Sequence, residues 1–521
     1  MTSLSSVEIA RFLDVGYLVL QLPDVAEEIH DRIFDKCESL YQGVASIQDS
    51  DVGLNLIADN INTTIPELNQ ILGSEQVDGA LTSLLGKEYF RYNHSFIHRA
   101  GTNDQSYHKD SGLPWGTRNG IRSHRLNWAM IFYYPQATTM EMGATEILPG
   151  TQYWSVDREG TGATEGEDRL DYSFESDKIN GHPDLTVRDS RLLRNVEEFD
   201  HSIQPLKLEI PKGSVVLVHF DLIHRGTRLA VQKSRYMAKF WFLRTTEPNE
   251  IELQTTNTYP CEDSRRALVL DSCLKWLKVP ALNVQAVSAS CSSDHTEGDL
   301  VERAYKLATQ RDRILLEEFA STHEAKRRTA TQALCTQGTF GLDTALSNTQ
   351  AASPTVRMSG AFLLGEVADL EERTVSILLD LASSDPEKDV RVTSINAIGR
   401  IVRRSSNLNG NLLSRVFETL YRVIKKSDLT PTRRRIQQDA ERQVAYIALL
   451  TSVSVLDAKR HQKELHDLGE FLSSVVSSES DRYAKGTAVE IVCRLAKLGI
   501  RPAVNCAVAL LRDERVNSFV H

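Results

Sequence analysis

The chain has 521 residues, of which 41% are hydrophobic and 25% are charged, and this balance excludes a wholly disordered protein. The formal net charge is −10, and neither half of the chain is basic enough to predict a nucleic-acid-binding surface. A chain of this length predicts at least two folded domains.

The sequence carries no signal for export or for membrane insertion. Glu8 and Arg11 interrupt the segment where a secretory leader would need a continuous apolar run. No stretch approaches the roughly 20 apolar residues that a membrane helix requires. The seven cysteines are scattered without a Cys-x-x-Cys pair, which indicates reduced thiols. We therefore expect a soluble, cytoplasmic protein.

The sequence pattern of the first half of the chain indicates β-strands. A helix-like segment spans residues 6–13, and runs of aliphatic and aromatic residues then predict strands at 17–20, 127–134, 214–219 and 236–243. Helical segments do not alternate regularly with these runs, which disfavours a parallel doubly wound sheet. The pattern favours a double-stranded β-helix, or jelly roll, over residues 1–260, within an α+β multidomain protein.

The polar content changes twice further along the chain. Residues 157–204 are dense in Asp, Glu, Arg and Gly, and so long a connection inside a compact domain predicts a lid. Residues 261–299 combine a helical pattern at 267–279 with a polar linker at 288–298. Helical periodicity then continues over residues 300–521, which predicts an all-α domain.

An internal similarity occurs within this helical half. Arg357 is followed eight positions later by Gly365, and Arg391 is followed eight positions later by Gly399, at an offset of 34 residues. Weaker copies begin near Arg327, Arg442 and Arg482. The pattern resembles the HEAT repeat family, whose helix pairs stack through small residues; a generic helical bundle is the alternative. The basic clusters at 326–328 and 433–435 predict solvated helix faces.

The pattern His-x-Asp occurs at His108–Asp110, His182–Asp184 and His219–Asp221. On an extended segment, residues two apart lie on one side, so such a pair can bind one cation. A distant His would complete the two-His, one-carboxylate set that leaves positions open on Fe(II). His182 lies beside a turn, and His219 has His224 only five positions away on the same segment. His108 and Asp110, with His224 and then Arg235, meet every requirement.

These residues lie within longer motifs. Phe12-x-x-x-Gly16-Tyr17 begins the segment, and Gln105-Ser-Tyr-His108-Lys-Asp110 follows. Gly143-Ala-Thr145 leads into Pro149-Gly150-Thr151, and Gly213 to Gly226 contains His224, with Arg235 eleven residues beyond it. In their order and spacing, residues 6–245 resemble the phytanoyl-CoA dioxygenase family of Fe(II)- and 2-oxoglutarate-dependent oxygenases.

The resemblance implies a role for each of these residues. His108, Asp110 and His224 would be the iron ligands and the catalytic centre, with Fe(II), 2-oxoglutarate and O2 as the reactants. Arg235 would pair with the distal carboxylate of 2-oxoglutarate, which suits a planar guanidinium. Gln105 and Thr145 would form hydrogen bonds to the cosubstrate. A carboxylate at Asp110, where related halogenases carry a small residue, implies an oxygenase.

Three functional hypotheses follow. The first is a dioxygenase that hydroxylates an unactivated C–H bond of a small organic molecule, such as a secondary metabolite, and releases succinate and CO2. The second is a protein hydroxylase or interaction scaffold whose helical repeats recruit a polypeptide or mediate self-association. The third is a scaffold with a silent oxygenase fold. None of them involves a nucleic acid or a membrane as partner, and the sequence leaves the substrate open.

Overall fold

The computed structural model describes most of the chain. The described residues are 3–42, 61–102, 104–105, 107, 109–110, 121–153, 203–249, 258–261, 264–279, 283–286, 313–321, 324–369, 371–405, 409–426 and 439–512. The chain separates into two compact units, of which the first holds the sheets and the second holds the helices from Arg313 onwards. The limits at 260 and 300 stay predictions. Of the segment at 157–204, predicted as a lid, residues 157–202 lie outside the described residues, as does the linker at 288–298.

The first unit is built on a five-stranded antiparallel sheet. In spatial order its strands are β1 (Tyr17–Leu20), β6 (Ser214–His219), β3 (Trp128–Tyr134), β8 (Tyr236–Leu243) and β2 (Phe90–Arg99). Three of the predicted strands coincide with β1, β6 and β8, and the fourth begins one residue late, at Trp128. The ten-residue strand β2 was not predicted, because its apolar residues are interrupted by Arg91, Asn93 and His94.

A smaller antiparallel sheet belongs to the same unit. It contains β5 (Leu206–Lys207), β4 (Thr145–Ile147) and β7 (His224–Gly226), in that spatial order. The chain leaves the large sheet at His219, turns, and enters the small sheet at His224. The ring centroids of Phe132 and His224 lie 5.5 Å apart, so the inner faces of the two sheets meet. The predicted double-sheet antiparallel domain followed by a helical region is confirmed.

Helices cover the outer face of the large sheet. They are α1 (Ser6–Val15), α2 (Glu27–Tyr41), α3 (Ile61–Thr64), α4 (Leu68–Leu72), α5 (Glu75–Leu85) and α6 (Ser264–Trp276). Alternate residues of β3, namely Ala129, Ile131 and Tyr133, join the core beneath these helices. The intervening residues point towards the small sheet. Because both faces are covered, β3, β6 and β8 are buried at every position, which explains their almost continuous apolar sequences.

Local sequence determines where helix α1 begins and ends. Ser5 and Glu8 form a reciprocal capping box at its start. Gly16 ends it with φ of 85°, a left-handed conformation that favours glycine. A Cβ at Gly16 would lie 2.8 Å from atoms of Gln152 and Leu222, so the position also requires a close approach. A two-stranded parallel ladder of β9 (Thr258–Cys261) and β10 (Asn283–Ala286) completes the described strands.

The second unit is helical wherever it is described and arranges its longer helices in two rows. Its elements are α7 (Arg313–Phe319), α8 (Glu324–Leu334), α9 (Thr339–Asn348), α10 (Pro354–Val367), α11 (Glu372–Ser384), α12 (Lys388–Arg404), α13 (Gly410–Lys425), α14 (Ala440–Val455), α15 (Gln462–Val475), α16 (Arg482–Lys497) and α17 (Arg501–Arg512). Helices α10, α12, α14 and α16 pack successively in one row, while α11, α13, α15 and α17 pack in the other. Each helix of the second row packs against a helix of the first, so the unit repeats a pair of helices. Membership of the HEAT family stays a prediction.

The arginines that mark the sequence repeat occupy equivalent positions. Arg327, Arg357 and Arg391 each donate through Nη1 to the carbonyl oxygen six residues earlier, at 3.1, 2.9 and 2.8 Å. Arg357 also forms a bidentate ion pair with Asp385, at 2.8 and 3.0 Å. The prediction of a solvated face at 326–328 is wrong for Arg327 and Arg328, which are 2% and 5% exposed. Arg327 is buried because it holds the turn before its helix.

The glycines of the repeat allow neighbouring helices to approach. A Cβ placed on Gly365 would lie 2.8 Å from Cα and Cβ of Ala397, and one on Gly399 would lie 3.2 Å from the same atoms of Ala448. The small residues therefore pair across successive helices of one row. Within the described part of the chain, no helix has both the length and the apolar character that crossing a bilayer requires.

Candidate active site

Two of the predicted iron ligands, Asp110 and His224, lie side by side between the two sheets. Nε2 of His224 is 3.7 Å from Oδ2 of Asp110, and the residues are 4% and 7% exposed, respectively. Nδ1 of His224 lies 3.0 Å from the Leu222 carbonyl oxygen, which can only accept, so Nδ1 carries the proton. In the neutral ring, Nε2 then carries the lone pair, on the side that faces Asp110. The two donor atoms are close enough to reach one ion at bond lengths of about 2.1 Å.

The third predicted ligand, His108, lies outside the described residues. Among the side chains that are described, no group of three or more His, Cys, Asp or Glu residues is placed to hold a metal ion. The complete ligand set accordingly stays a prediction, of which the structure describes two members. His182 and Asp184 also lie outside the described residues.

The alternative pair, His219 and Asp221, occupies a different environment. The His219 ring stacks on Phe12 with centroids 6.0 Å apart and meets Tyr153 edge-on at 5.9 Å. Its Nδ1 accepts a hydrogen bond from the Asp221 backbone N–H at 3.2 Å. His219 is thus packed against α1, and its Nδ1 serves to hold the turn that leads to His224.

Arg235 is a buried cation at the start of β8. It is 3% exposed, and Nη2 donates to the Gly143 carbonyl oxygen. Burial lowers the pKa of the guanidinium. Within the described part of the chain no carboxylate lies within ion-pair distance of Arg235, and its Nε has no hydrogen-bond partner. A buried guanidinium that lacks an anion is unfavourable, so the site is chemically suited to an anionic ligand.

The hydroxyl groups of Tyr134 and Thr145 lie near Arg235. Tyr134 and Thr145 share a hydrogen bond of 2.6 Å between their side-chain oxygens, and the positive charge of Arg235 acts on the Tyr134 phenol. Burial raises the pKa of Tyr134, so it is a neutral hydrogen-bonding group. The sequence signal for Tyr134 is that it follows Phe132 by two positions, which places both on the inner face of β3.

Gln105 lies beside the strand that carries His224. Its backbone N–H donates to the Gly226 carbonyl at 2.8 Å, and its side-chain Oε1 accepts from the Gly226 N–H at 3.0 Å. Nη2 of Arg235 would be 3.8 Å from a Cβ on Gly226, so Gln105 and Arg235 flank the same glycine. Gln105 and Thr145 are therefore near Arg235, while their contacts with a cosubstrate stay predictions.

Lys239 was not singled out from the sequence. It is 5% exposed in the middle of β8, and its Nζ forms an ion pair with Oδ2 of Asp110. The ammonium also lies 5.3 Å from the Phe132 ring centroid and 5.9 Å from that of Trp241. Lys239 follows Arg235, the residue directly before β8, by four positions, and this even spacing places both cations on the inner face.

A buried polar cluster ties the ligand-bearing segments together. Oε1 of Glu146 accepts from Nε of Arg225 at 2.7 Å and also from the Tyr107 hydroxyl. The Arg225 guanidinium carbon lies 4.2 Å from the Tyr107 ring centroid. Tyr107 directly precedes His108, and Arg225 directly follows His224. One carboxylate thus connects the chain segments on which two predicted ligands lie, a link that no local sequence signal reveals.

The family model described as Phytanoyl-CoA dioxygenase matches residues 15–237. A search of curated proteins gave no match.

Similar solved structures include EctD from S. alaskensis with 2-oxoglutarate and 5-hydroxyectoine, at 15% identity over 46% of this chain and 77% of that one, with a TM-score of 0.33. SnoK from nogalamycin biosynthesis has 14% identity over 47% and 85%, with a TM-score of 0.30. HygX from Streptomyces hygroscopicus with nickel and 2-oxoglutarate has 12% identity over 49% and 93%, with a TM-score of 0.32. The family match itself identifies residues 15–237 as a domain of the phytanoyl-CoA dioxygenase family of Fe(II)- and 2-oxoglutarate-dependent oxygenases.

Proposed function

We propose that this domain hydroxylates an unactivated C–H bond of a small organic molecule, with release of succinate and CO2. The observation that carries the proposal is Arg235, a buried guanidinium without a carboxylate partner among the described residues. It shares the space between the sheets with Asp110 and His224, whose donor atoms lie 3.7 Å apart. An anion site and a metal-binding pair within one buried space suit a cosubstrate that has a carboxylate at each end.

Each side chain has a separate task in this proposal. Asp110 and His224, with His108, would hold Fe(II), and the Leu222 carbonyl keeps the His224 ring in the tautomer that presents Nε2. Arg235 would hold the distal carboxylate of 2-oxoglutarate, and the iron with its cosubstrate supplies the oxidising chemistry. The two sheets exclude water from this space, which strengthens the pairing between Arg235 and an anion.

The ligand assignment is tested by direct metal binding. Asp110→Ala and His224→Ala in the full chain should each lose most of the Mn(II) affinity, measured by titration calorimetry without oxygen. Asp385→Asn is the control, since it removes a buried carboxylate in the helical unit and should keep the affinity. Circular dichroism checks that each variant is folded. Normal Mn(II) binding by both alanine variants would refute the assignment.

The cosubstrate assignment is tested at Arg235. Removing one partner of a buried charge pair costs about 2–5 kcal/mol, so Arg235→Leu should weaken 2-oxoglutarate binding at least about thirtyfold. Arg235→Lys keeps the charge but loses the two-pronged geometry, and an intermediate affinity is expected. Mn(II) affinity should be unchanged in both variants. If Arg235→Leu binds 2-oxoglutarate as tightly as the wild type does, the assignment is wrong.

A further inference from the structure

The second buried cation, Lys239, is not needed for the chemistry proposed above. Its ion pair with Asp110 is its one contact with a described carboxylate, and the flanking groups are the rings of Phe132 and Trp241. Aromatic faces attract an ammonium but do not neutralise it. The charge of Lys239 is therefore balanced only while Asp110 is available to it.

Binding of a metal changes this balance. A divalent ion that takes Asp110 as a ligand competes with Lys239 for the same oxygen, Oδ2. In the loaded site, the two charges of the metal offset the two of 2-oxoglutarate, and Asp110 offsets Arg235. Among the described groups, Lys239 then remains as one positive charge without compensation in a buried space, which is strongly unfavourable.

The other charges near the site do not remove this excess. Glu146 is already paired with Arg225, at 2.7 Å, on the opposite face of the small sheet. Lys109 and Asp221 are both buried and have opposite signs, and both act on His124. No described group of the chain supplies the compensating charge, which leaves the remaining reactant, the substrate.

We propose that Lys239 binds an anionic group of the substrate, of the carboxylate or sulfonate type, and that the enzyme acts on anionic small molecules. This inference rests on the proposed function. Phe132 and Trp241 border the ammonium, so the anionic group would be bound beside two aromatic walls. The contact would also position the substrate close to the metal, because Lys239 already reaches a proposed metal ligand.

The experiment uses acetate as a minimal anionic probe and acetamide as its neutral counterpart. The full chain is loaded with Mn(II) and saturating 2-oxoglutarate without oxygen, and the relaxation rate of the probe's methyl protons is measured. Paramagnetic Mn(II) accelerates relaxation only for a probe bound nearby. We expect a strong effect on acetate and a weak one on acetamide. In Lys239→Met the effect on acetate should fall about tenfold or more, and Lys239→Arg should retain it.

The outcomes separate this inference from the proposed function. If the wild type fails to bind Mn(II) or 2-oxoglutarate, the proposed function is wrong. If it binds both, but acetate is unaffected or responds equally in Lys239→Met, only the present inference is overturned. Loss of 2-oxoglutarate binding in Lys239→Met would also overturn it, since Lys239 would then serve the cosubstrate. Lys239→Gln replaces the methionine variant if that variant is misfolded by circular dichroism.

Discussion

Replacing Glu146 tests whether its buried cluster with Arg225 and Tyr107 stabilises the domain and positions the proposed metal ligands. Glu146→Gln keeps the size of the side chain but removes the negative charge that Arg225 and Tyr107 share. The side chains of Arg225 and Glu146 are 10% and 7% exposed, so the substitution removes a buried negative charge from the guanidinium. Breaking a buried pair in this way costs about 3–5 kcal/mol, and Gln retains some hydrogen bonding, so a loss of about 3 kcal/mol is expected.

Glu146→Gln should also lower the affinity for the metal. Tyr107 adjoins His108, and Arg225 adjoins His224, so loosening their common partner frees both ligand-bearing segments. We expect Mn(II) affinity to fall about tenfold, in the range typical when an outer partner of a metal ligand is removed. Affinity is measured by titration calorimetry on the full chain. Urea unfolding is followed by tryptophan fluorescence, since all five tryptophans lie within the first 276 residues.

A matched control exists in the helical unit. Asp385→Asn removes the charge from the bidentate pair with Arg357, whose side chains are 3% and 13% exposed. This variant should destabilise the helices, as seen by circular dichroism, and leave Mn(II) affinity unchanged. If Glu146→Gln lowers stability and keeps the wild-type Mn(II) affinity, the cluster has no positioning role. If neither quantity changes, the reasoning about the buried pair is refuted.

Three further predictions concern other positions. Tyr134→Phe removes a hydroxyl beside Arg235 and should weaken 2-oxoglutarate binding by about 1 kcal/mol, or several-fold; an unchanged affinity would exclude Tyr134 from the cosubstrate site. Gly365→Val overfills the contact with Ala397 and should lower the unfolding free energy of the helical unit by about 1–3 kcal/mol, whereas an unchanged urea midpoint would contradict the close packing.

The third concerns His124, whose pKa burial lowers to about 4. Between pH 6.5 and 4 the unfolded chain therefore binds a proton that the folded one does not, so the unfolding free energy of the first unit should fall as the pH falls through this range. His124→Gln should make this dependence shallower in urea titrations, and an unaltered slope would refute the assignment.

Some features of this protein are local, and the sequence alone determines them. Strands β6 and β8 have almost continuous apolar sequences because each is buried on both faces, and such sequences can be recognised without knowledge of their partners. The arginines and glycines of the helical repeat are equally visible, since three of the arginines hold the same turn and two of the glycines serve the same kind of helix contact. Arg235 could be assigned in advance only through the family resemblance, which carries information about distant segments.

Other features depend on segments far apart in the chain, and only the tertiary structure decides them. Strands β4 and β7 have three residues each and exist because they pair with one another, so neither has a pattern of its own. Glu146 and Arg225 are 79 residues apart, and the contact of Lys239 with Asp110 joins segments that the sequence does not relate. Charge pairing inside a buried space depends on distance in three dimensions, and a linear pattern records the charges but not which of them meet.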